Sequence, residues 1–391
     1  MNEIVILIEK IAYGGEGLGK HEGRVCFVDG ALAGEKVRAV VIQEKKAFLR
    51  ARLAEVLEPS PHRVQAPCPY YGTCGGCQYQ HLSYAEELRW KEIQVREYLE
   101  RSLRIDPLLV RPITGSPRDY AYRNSVTAHP VQQQLPSPAG FFSSDNRTVI
   151  PVKECLLLEA PLNQVFKIPV KSKDGSVLRL AGDGRTIGGS DNVFYEVNVG
   201  GENVVTHSAS FFQANTDTAA AIGRNLRERL PSPMDTWIDL YSGVGTFTWL
   251  AAPAVPTLVF SEENPFGLQG LKKNLGLRKK LAVILEGQVE KVFPRWHKKN
   301  PVKNAAVFLD PPRKGIEDSL SSYLGEASFQ KIIYLSCHLG TLARDLKIIL
   351  SKGRYKVAEV FPFDMFPQTK HIEVLVYLEP LRETENQGRP S

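Results

Sequence analysis

The stretch Thr236-Trp-Ile-Asp-Leu-Tyr-Ser-Gly-Val-Gly-Thr246 decides the fold of the C-terminal half of this chain. Its apolar residues up to Tyr241 predict a buried strand, the glycines that follow predict a tight turn, and a helix is expected to begin at Thr246. Glycines in such a turn let a ligand approach the backbone at the carboxyl end of a parallel sheet. A glycine-rich turn alone is a weak sign of a nucleotide-like cofactor. The prediction of a cofactor site therefore also depends on the segments that follow the turn.

Strand and helix patterns alternate after this stretch. Five β-α units and an apparent final hairpin predict a doubly wound α/β sheet. The later strands are predicted at Thr257–Ser261, Leu281–Leu285, Ala305–Leu309, Lys331–Ser336, Tyr355–Phe361 and Ile372–Leu378.

The N-terminal half has a different pattern. Residues 1–58 contain short alternating runs separated by glycines, which predicts a small all-β barrel. Residues 59–206 contain a cysteine segment, a helix starting in a capping-box pattern of Ser83 and Glu86, and a β-rich part with many Pro, Gly and Ser turns. With the α/β region at 207–391, the predicted fold class is multidomain: a barrel, a central β-rich domain and a Rossmann-like domain.

Composition indicates a folded protein with an excess of positive charge. The 391 residues are 43% hydrophobic, enough for two or three domains with their own cores. The apolar run Ile4–Ile8 is far shorter than the roughly 20 residues that cross a bilayer, and no signal-peptide pattern precedes it. We therefore expect a cytoplasmic protein that does not enter a membrane. The net charge of +6 favours an anionic partner such as RNA, and nothing in the sequence indicates an obligate protein partner.

Cysteines cluster in the central region. Cys68, Cys74 and Cys77 form a C-x5-C-x2-C segment with glycines that let the backbone wrap tightly, and Cys155 follows later. In a reducing compartment such cysteines are better read as ligands or nucleophiles than as disulfides. Four thiolates bind either a cubane iron–sulfur cluster or a tetrahedral zinc ion, and the spacing leaves both open. The structural alternative is a set of buried free thiols.

Four further side chains are expected at the edge of the sheet where the glycine turn lies. Glu262 follows the turn by about 20 residues, where a carboxylate accepts the ribose hydroxyls of an adenosine cofactor. Asp310 precedes two prolines that keep it in the cleft, and Cys337 ends the fifth of the predicted strands, where a thiol can add to an electrophilic carbon. Glu373 begins the last strand and is a candidate base. Each residue taken alone also has a purely structural explanation. In the order given, these are a chance acidic strand end, a stiff turn, a thiol that only packs in the core, and an exposed charge on a strand.

Five blocks in order resemble those of the RNA uracil-5 methyltransferase family, the S-adenosylmethionine-dependent enzymes that make 5-methyluridine. The resemblance spans nearly the whole chain, because Tyr13-Gly-Gly-Glu-Gly-Leu-Gly-Lys20 is similar to the RNA-binding TRAM domain. The cysteine spacing is similar to the family's 4Fe–4S motif, which favours iron over zinc. The five blocks are Phe211-Phe-Gln-Ala-Asn215, Asp239-Leu-Tyr-Ser-Gly-Val-Gly-Thr-Phe247, Leu309-Asp-Pro-Pro-Arg-Lys-Gly315, Leu335-Ser-Cys337 with Thr341-Leu-Ala-Arg-Asp345, and Asp364-Met-Phe-Pro-Gln-Thr-Lys-His-Ile-Glu373.

The resemblance implies roles for individual residues. Cys337 is implied as the nucleophile that adds to carbon 6 of uracil, and Glu373 as the base that removes the proton from carbon 5. The target uridine must be flipped out or lie in a loop. Contacts to S-adenosylmethionine are implied for Gln213, Tyr241, Glu262 and Asp310. The implied ligands of the 4Fe–4S cluster are Cys68, Cys74, Cys77 and Cys155.

The same resemblance implies an RNA partner, with 23S ribosomal RNA ahead of tRNA, because the barrel and the cysteines together are typical of the iron–sulfur branch. Three positions depart from the family pattern: His338-Leu339 after the nucleophile, Gln288 near the expected adenine contact, and Ser125. These departures concern substrate loops and leave the reaction class intact. A catalytically silent RNA-binding or ribosome-assembly factor is the alternative from another class. The joint presence of Cys337 and Glu373 argues against it.

Overall fold

The computed structural model describes residues 3–252 and 254–381. Within that part of the chain, the N-terminal strands close into a barrel in the order β1-β2-β3-β5-β4. Its core is built from alternate positions of the strands, such as Ile4, Ile6 and Ile8, which are buried while their neighbours face outward. The predicted N-terminal barrel is confirmed. The strands are β1 (Glu3–Ile11), β2 (Gly17–His21), β3 (Arg24–Asp29), β4 (Lys36–Glu44) and β5 (Phe48–Glu58).

Strand β2 was not predicted, because its glycines were read as separators between strands. They lie inside the barrel where other backbone segments pass close by. A Cβ added at Gly19 would lie 2.2 Å from the carbonyl oxygen of Leu7, and one at Gly17 would lie 2.7 Å from that of Ala31. Glycine here allows a close backbone approach within a strand.

The cysteine segment follows the barrel and leads into helix α1 (Tyr84–Leu103). The helix begins directly after Ser83, but the predicted capping box is wrong, since the Ser83 side chain makes no capping hydrogen bond. The Glu86 carboxylate pairs instead with Arg89, 3.2 Å away, and so does not reach back to the start of the helix.

The central region is β-rich, as predicted. Its strands form a sheet in the order β10-β9-β6-β7-β8, covered by the 3-10 helix Ala160–Lys167 through Leu162 and Val165. A short 3-10 turn, Pro107–Leu109, links α1 to this region. The strands are β6 (Ser125–Pro130), β7 (Ala139–Phe142), β8 (Val149–Pro151), β9 (Ser176–Leu180) and β10 (Thr186–Gly188).

A hairpin and a helix connect this sheet to the C-terminal α/β sheet: β11 (Phe194–Val199), β12 (Glu202–His207) and α2 (Thr216–Glu228). In the described chain the α/β sheet has the order β15-β14-β13-β16-β17-β19-β18, with β19 antiparallel to both neighbours. The predicted doubly wound sheet and final hairpin are confirmed. The elements are β13 (Thr236–Leu240), α3 (Thr246–Ala251), β14 (Thr257–Glu262), α4 (Pro265–Leu277), β15 (Val283–Glu286), α5 (Val289–Lys299), β16 (Ala305–Leu309), α6 (Asp318–Glu326), β17 (Lys331–Ser336), α7 (Leu339–Ser351), β18 (Tyr355–Phe363) and β19 (Glu373–Pro380).

Strands β13 and β16 sit at the centre of this sheet, and all their residues are buried because helices cover both faces. They are parallel neighbours, yet the chain proceeds in opposite directions across the sheet from them. Such a switch point opens a crevice at the carboxyl ends of the strands. The candidate functional site lies at this crevice.

Helix α1 packs against the C-terminal half of the chain. Val95 and Leu99 belong to the same buried cluster as Leu309 and Leu342. The predicted divisions after residues 58 and 206 stay predictions. Among the described helices, none combines the length and the apolar character that crossing a membrane requires.

Candidate active site

A cavity of about 1030 Å³ lies where the cysteine segment and the central sheet face the carboxyl edge of the α/β sheet. The structure brings every predicted site residue to the wall of this one cavity. They are Cys68, Cys74, Cys77, Cys155, Gln213, Tyr241, Glu262, Asp310, Cys337 and Glu373. Convergence of segments so far apart in the sequence supports a shared function, while the individual roles stay predictions.

The glycine turn after β13 is held by Glu262, at the end of β14. One carboxylate oxygen of Glu262 accepts the Gly243 N–H at 2.7 Å, and the other accepts the N–H groups of Glu263 and Asn264 at 2.9 and 2.6 Å. Tyr241 begins the turn with a φ of 61°, a conformation that is rare outside glycine and that clusters at functional sites. Its hydroxyl donates to Glu290 at 2.6 Å.

Three buried polar atoms of residues in the cavity wall have no hydrogen-bond partner within the described chain: Nε of Arg123, and, beside the glycine turn, Oδ1 of Asp239 and Oγ of Ser242. The other Asp239 oxygen accepts the Thr248 hydroxyl at 2.5 Å. Burial raises the pKa of Asp239 to about 8, against the opposing effect of the Thr248 hydrogen bond. Buried polar atoms are costly without partners, so the unpartnered atoms of Asp239 and Ser242 fit a polar ligand group. The sequence pattern places Asp239 in the strand before the glycine turn and does not indicate a role for it.

Asp310 follows β16 and faces the same end of the cavity. Gln213 donates from Nε2 to its Oδ2 at 3.0 Å. Burial raises the pKa of Asp310 to about 7, while this hydrogen bond acts to lower it. Asp239, Glu262 and Asp310 thus give this end of the cavity carboxyl groups that suit a positively charged ligand.

Cys337 lies directly after β17. Burial raises the pKa of its thiol to about 12; the charges of Glu373 and Asp310 act in the same direction, and Arg313 acts against them. A thiol with such a pKa is neutral near pH 7, and only its thiolate is a strong nucleophile. The thiol therefore depends on a proton acceptor or on added positive charge when it reacts.

Glu373 is the first residue of β19 and is buried. Its pKa is raised well above the ordinary glutamate value by burial and then by the charge of Asp310, with Arg313 opposing. A raised pKa makes a carboxylate a stronger proton acceptor, as general-base catalysis near neutral pH requires.

Arg313 supplies positive charge beside both groups, and sequence reasoning missed it. One of its guanidinium nitrogens lies 3.3 Å from Nε2 of His371. Burial, together with the charge of Arg313, lowers the pKa of His371 to about 3, so the ring is neutral and can accept an Arg313 N–H. The only sequence signal was the position of Arg313 directly after Asp310-Pro-Pro.

The four central cysteines line the other end of the cavity, and none forms a disulfide. Burial raises the pKa of Cys77 to about 12, and the charges of Cys155, Cys74 and Cys68 also raise it. Four soft donors on one cavity wall suit a metal centre chemically. Nevertheless, over residues 3–252 and 254–381 no group of three or more His, Cys, Asp or Glu side chains has an arrangement that could hold a metal ion. The iron–sulfur cluster stays a prediction.

Two parts of the chain match models of known protein families. Residues 298–381 match the tRNA (Uracil-5-)-methyltransferase family, and residues 2–54 match the TRAM domain.

Curated relatives match over nearly the full length. An uncharacterized RNA methyltransferase of Bdellovibrio bacteriovorus is 32% identical over 96% of this chain and 95% of that protein. A second, from Aquifex aeolicus, is 30% identical over 96% and 98% of the two chains.

Among solved structures, the Pyrococcus abyssi tRNA (uracil-54, C5)-methyltransferase in complex with S-adenosyl-L-homocysteine is similar in fold. It covers 96% of this chain and 99% of its own, with a TM-score of 0.73 and 21% sequence identity. At that identity the likeness supports the architecture of the chain.

Proposed function

The chain belongs to the RNA (uracil-5-)-methyltransferase family, and from that premise we propose that it transfers a methyl group from S-adenosylmethionine to carbon 5 of a uridine in RNA. One observation carries the proposal: the Cys337 thiol, the Glu373 carboxyl and the glycine turn at Gly243 face the same cavity. A nucleophile, a base and a cofactor turn are what this reaction needs in one place.

The cofactor end of the cavity fits S-adenosylmethionine. Gln213, Tyr241, Glu262 and Asp310 would hold it, with the unpartnered atoms of Asp239 and Ser242 available to its polar groups. When bound, S-adenosylmethionine supplies an electrophilic methyl group on a positively charged sulfur. The buried carboxyl groups complement that charge.

Cys337 starts the reaction, because carbon 5 of uracil is a poor nucleophile. After the thiol proton passes to solvent water, the sulfur bonds to carbon 6, and the electron pair of the 5,6 double bond moves toward the carbonyl to form an enolate. Carbon 5 of the enolate would then bond to the methyl group while the bond from that methyl group to the sulfonium sulfur breaks, which would leave S-adenosylhomocysteine. Arg313, which faces the thiol, offsets the negative charge on the sulfur before the addition.

Glu373 completes the reaction by accepting the proton from carbon 5. The electron pair of that C–H bond restores the 5,6 double bond, the bond from carbon 6 to sulfur breaks, and Cys337 leaves as a thiolate. Because this carboxylate is buried beside Asp310, its raised pKa supports the proton-acceptor role.

We propose 23S ribosomal RNA as the substrate, with tRNA as the alternative. The N-terminal barrel matches the TRAM domain, and the net charge of +6 suits an RNA backbone. The structural relative named for tRNA aligns with 96% of this chain, which must include most of the barrel. Architecture alone therefore does not select the RNA class.

The function is tested by methyl transfer from labelled S-adenosylmethionine to undermodified total RNA. Ribosomal RNA and tRNA are separated before nucleoside analysis. We expect label in 5-methyluridine of ribosomal RNA. Label confined to 5-methyluridine of tRNA would show that tRNA, and not ribosomal RNA, is the substrate, and would still support the proposed reaction. Label in another nucleoside, or none although the cofactor binds, would contradict the proposed reaction and favour a silent RNA-binding factor.

The proposal includes a 4Fe–4S cluster held by Cys68, Cys74, Cys77 and Cys155. Support comes from the position of the four thiols on one cavity wall. The Gly76 N–H also donates to Sγ of Cys74 at 3.4 Å, a contact common around cluster sulfurs.

Metal analysis of anaerobically purified protein tests the cluster. We expect about four iron atoms and four sulfides per chain, with brown visible absorbance. Cys74→Ala should lose iron and colour. Cys26→Ala is the matched control, because Cys26 is buried in the barrel core and should keep both. A colourless, zinc-loaded wild type would contradict iron, and equal iron in both variants would contradict the ligand assignment.

A further inference from the structure

An irregular loop, residues 364–372, connects β18 to β19 and ends directly before Glu373. Gln368 within it has a φ of 68°, and Asp364, Gln368 and Thr369 are buried. An irregular loop lacks the regular backbone hydrogen bonds of a helix or a sheet. Its buried N–H and C=O groups therefore need hydrogen-bond partners from elsewhere in the fold. Those partners determine where Glu373 is held.

Helix α1 fixes the first part of the loop. Lys91 Nζ donates to Oδ1 of Asp364 at 2.7 Å and to the carbonyl of Phe366 at 3.3 Å. Glu87 accepts the Gln368 N–H at 2.9 Å and pairs with Lys91 at 2.7 Å. The charged groups of Lys91, Glu87 and Asp364 are fully buried, so losing one would leave the others uncompensated.

Gln78, the residue after Cys77, fixes the part nearest Glu373. Its N–H donates to the carbonyl of Gln368 at 2.9 Å, and its Oε1 accepts the Lys370 N–H at 3.0 Å. Its Nε2 donates to the carbonyl of Gly75, between Cys74 and Cys77, at 3.0 Å. The Gln78 side chain therefore forms one hydrogen bond to the cysteine turn, residues 74–77, and another to the loop 364–372 that precedes Glu373.

We infer that Gln78 is a positioning residue that transmits the conformation of the cysteine turn to the general base. The inference rests on the proposed function and assigns the cysteine segment a task within it. The carbonyl of Gly75 in the turn accepts a hydrogen bond from the Gln78 side chain, and that side chain accepts one from the Lys370 N–H. Lys370 lies in the loop 364–372, three residues before Glu373.

The chemistry gives this role a distinct signature. Addition of Cys337 to carbon 6 and transfer of the methyl group both precede the step that needs Glu373. When Glu373 is displaced, proton removal from carbon 5 slows, and the bond between sulfur and carbon 6 persists. A methylated, covalent protein–RNA adduct therefore accumulates.

The experiment uses full-length protein with the cluster content of each variant measured, labelled S-adenosylmethionine and an RNA that the wild type methylates. Gln78→Met keeps the length of the side chain and removes both of its hydrogen bonds. We expect turnover to fall by about tenfold to a hundredfold, less than the roughly 10²- to 10⁴-fold usual contribution of a general base, because Glu373 itself is kept. Labelled protein–RNA adduct should appear on denaturing gels.

Gln330→Met is the matched control. Gln330 lies beside the start of β17, at the edge of the sheet opposite the cavity, and its side chain donates to Asn304 at 3.4 Å. Its turnover and adduct level should equal those of the wild type. Gln78→Glu keeps an acceptor for the Lys370 N–H, so it should accumulate less adduct than Gln78→Met.

Slow turnover of Gln78→Met without adduct, or wild-type turnover, would overturn the inference. Absence of 5-methyluridine from the wild-type reaction would instead contradict the proposed function, so the two failures are distinct.

Hydrogen exchange gives a readout that does not depend on turnover. Amides of the segment 369–373 should exchange faster in Gln78→Met, while those of α7 stay unchanged. Unchanged exchange at 369–373 would also overturn the inference.

Discussion

Burial is the main influence on the pKa values of three acidic side chains in the cavity wall, because a buried charge is costly. Asp239, Asp310 and Glu373 all have raised pKa values, and burial is the largest cause in each case. Arg313 opposes this effect at Glu373 and at Cys337. The site before cofactor binding therefore favours protonated acids and a neutral thiol. A cationic ligand would shift these groups toward their charged forms.

Asp239 should make stability depend on pH. Its pKa is about 8 in the folded protein and about 3.9 in an unfolded chain. A raised carboxyl pKa stabilises the fold below the unfolded value, and this contribution is lost as pH rises through the folded value. We expect Asp239→Asn to raise Tm relative to the wild type by at least about 2 °C more at pH 9 than at pH 5.

Thermal unfolding of cofactor-free protein at both pH values checks this expectation. Asp235→Asn is the control, because Asp235 is exposed and accepts a hydrogen bond from Asn304 at 2.8 Å. The account of Asp239 fails if its substitution shifts Tm equally at the two pH values.

At the level of helices and strands, periodicity and turns predicted the doubly wound sheet because its buried strands are continuous apolar runs. The pattern failed at β2, where Gly17 and Gly19 are needed for close packing inside the barrel. It failed again at Ser83, because Glu86 has other partners. Both errors arise from contacts between elements, which a local pattern does not contain.

Across the whole molecule, the site is assembled from segments that the sequence separates widely. Strand ends predicted that Asp310, Cys337 and Glu373 would meet, because the strands share one sheet. No local rule placed the cysteine segment against that edge, and the resemblance to a family supplied its role. Gln78 had no sequence signal, and Arg313 had only its position directly after Asp310-Pro-Pro, since the importance of both lies in what they contact across the fold.

The covalent step is the central claim, and RNA containing 5-fluorouridine tests it most directly. Fluorine at carbon 5 cannot be removed by Glu373 as a proton is, so the reaction should stop at the methylated adduct. With S-adenosylmethionine present, we predict that mass spectrometry will find the methylated 5-fluorouridine nucleotide on the peptide that contains Cys337. Cys337→Ala should bind S-adenosylmethionine, form no adduct with this RNA, and make no 5-methyluridine in RNA that contains ordinary uridine. An adduct on another cysteine, or 5-methyluridine made by Cys337→Ala, would contradict the account.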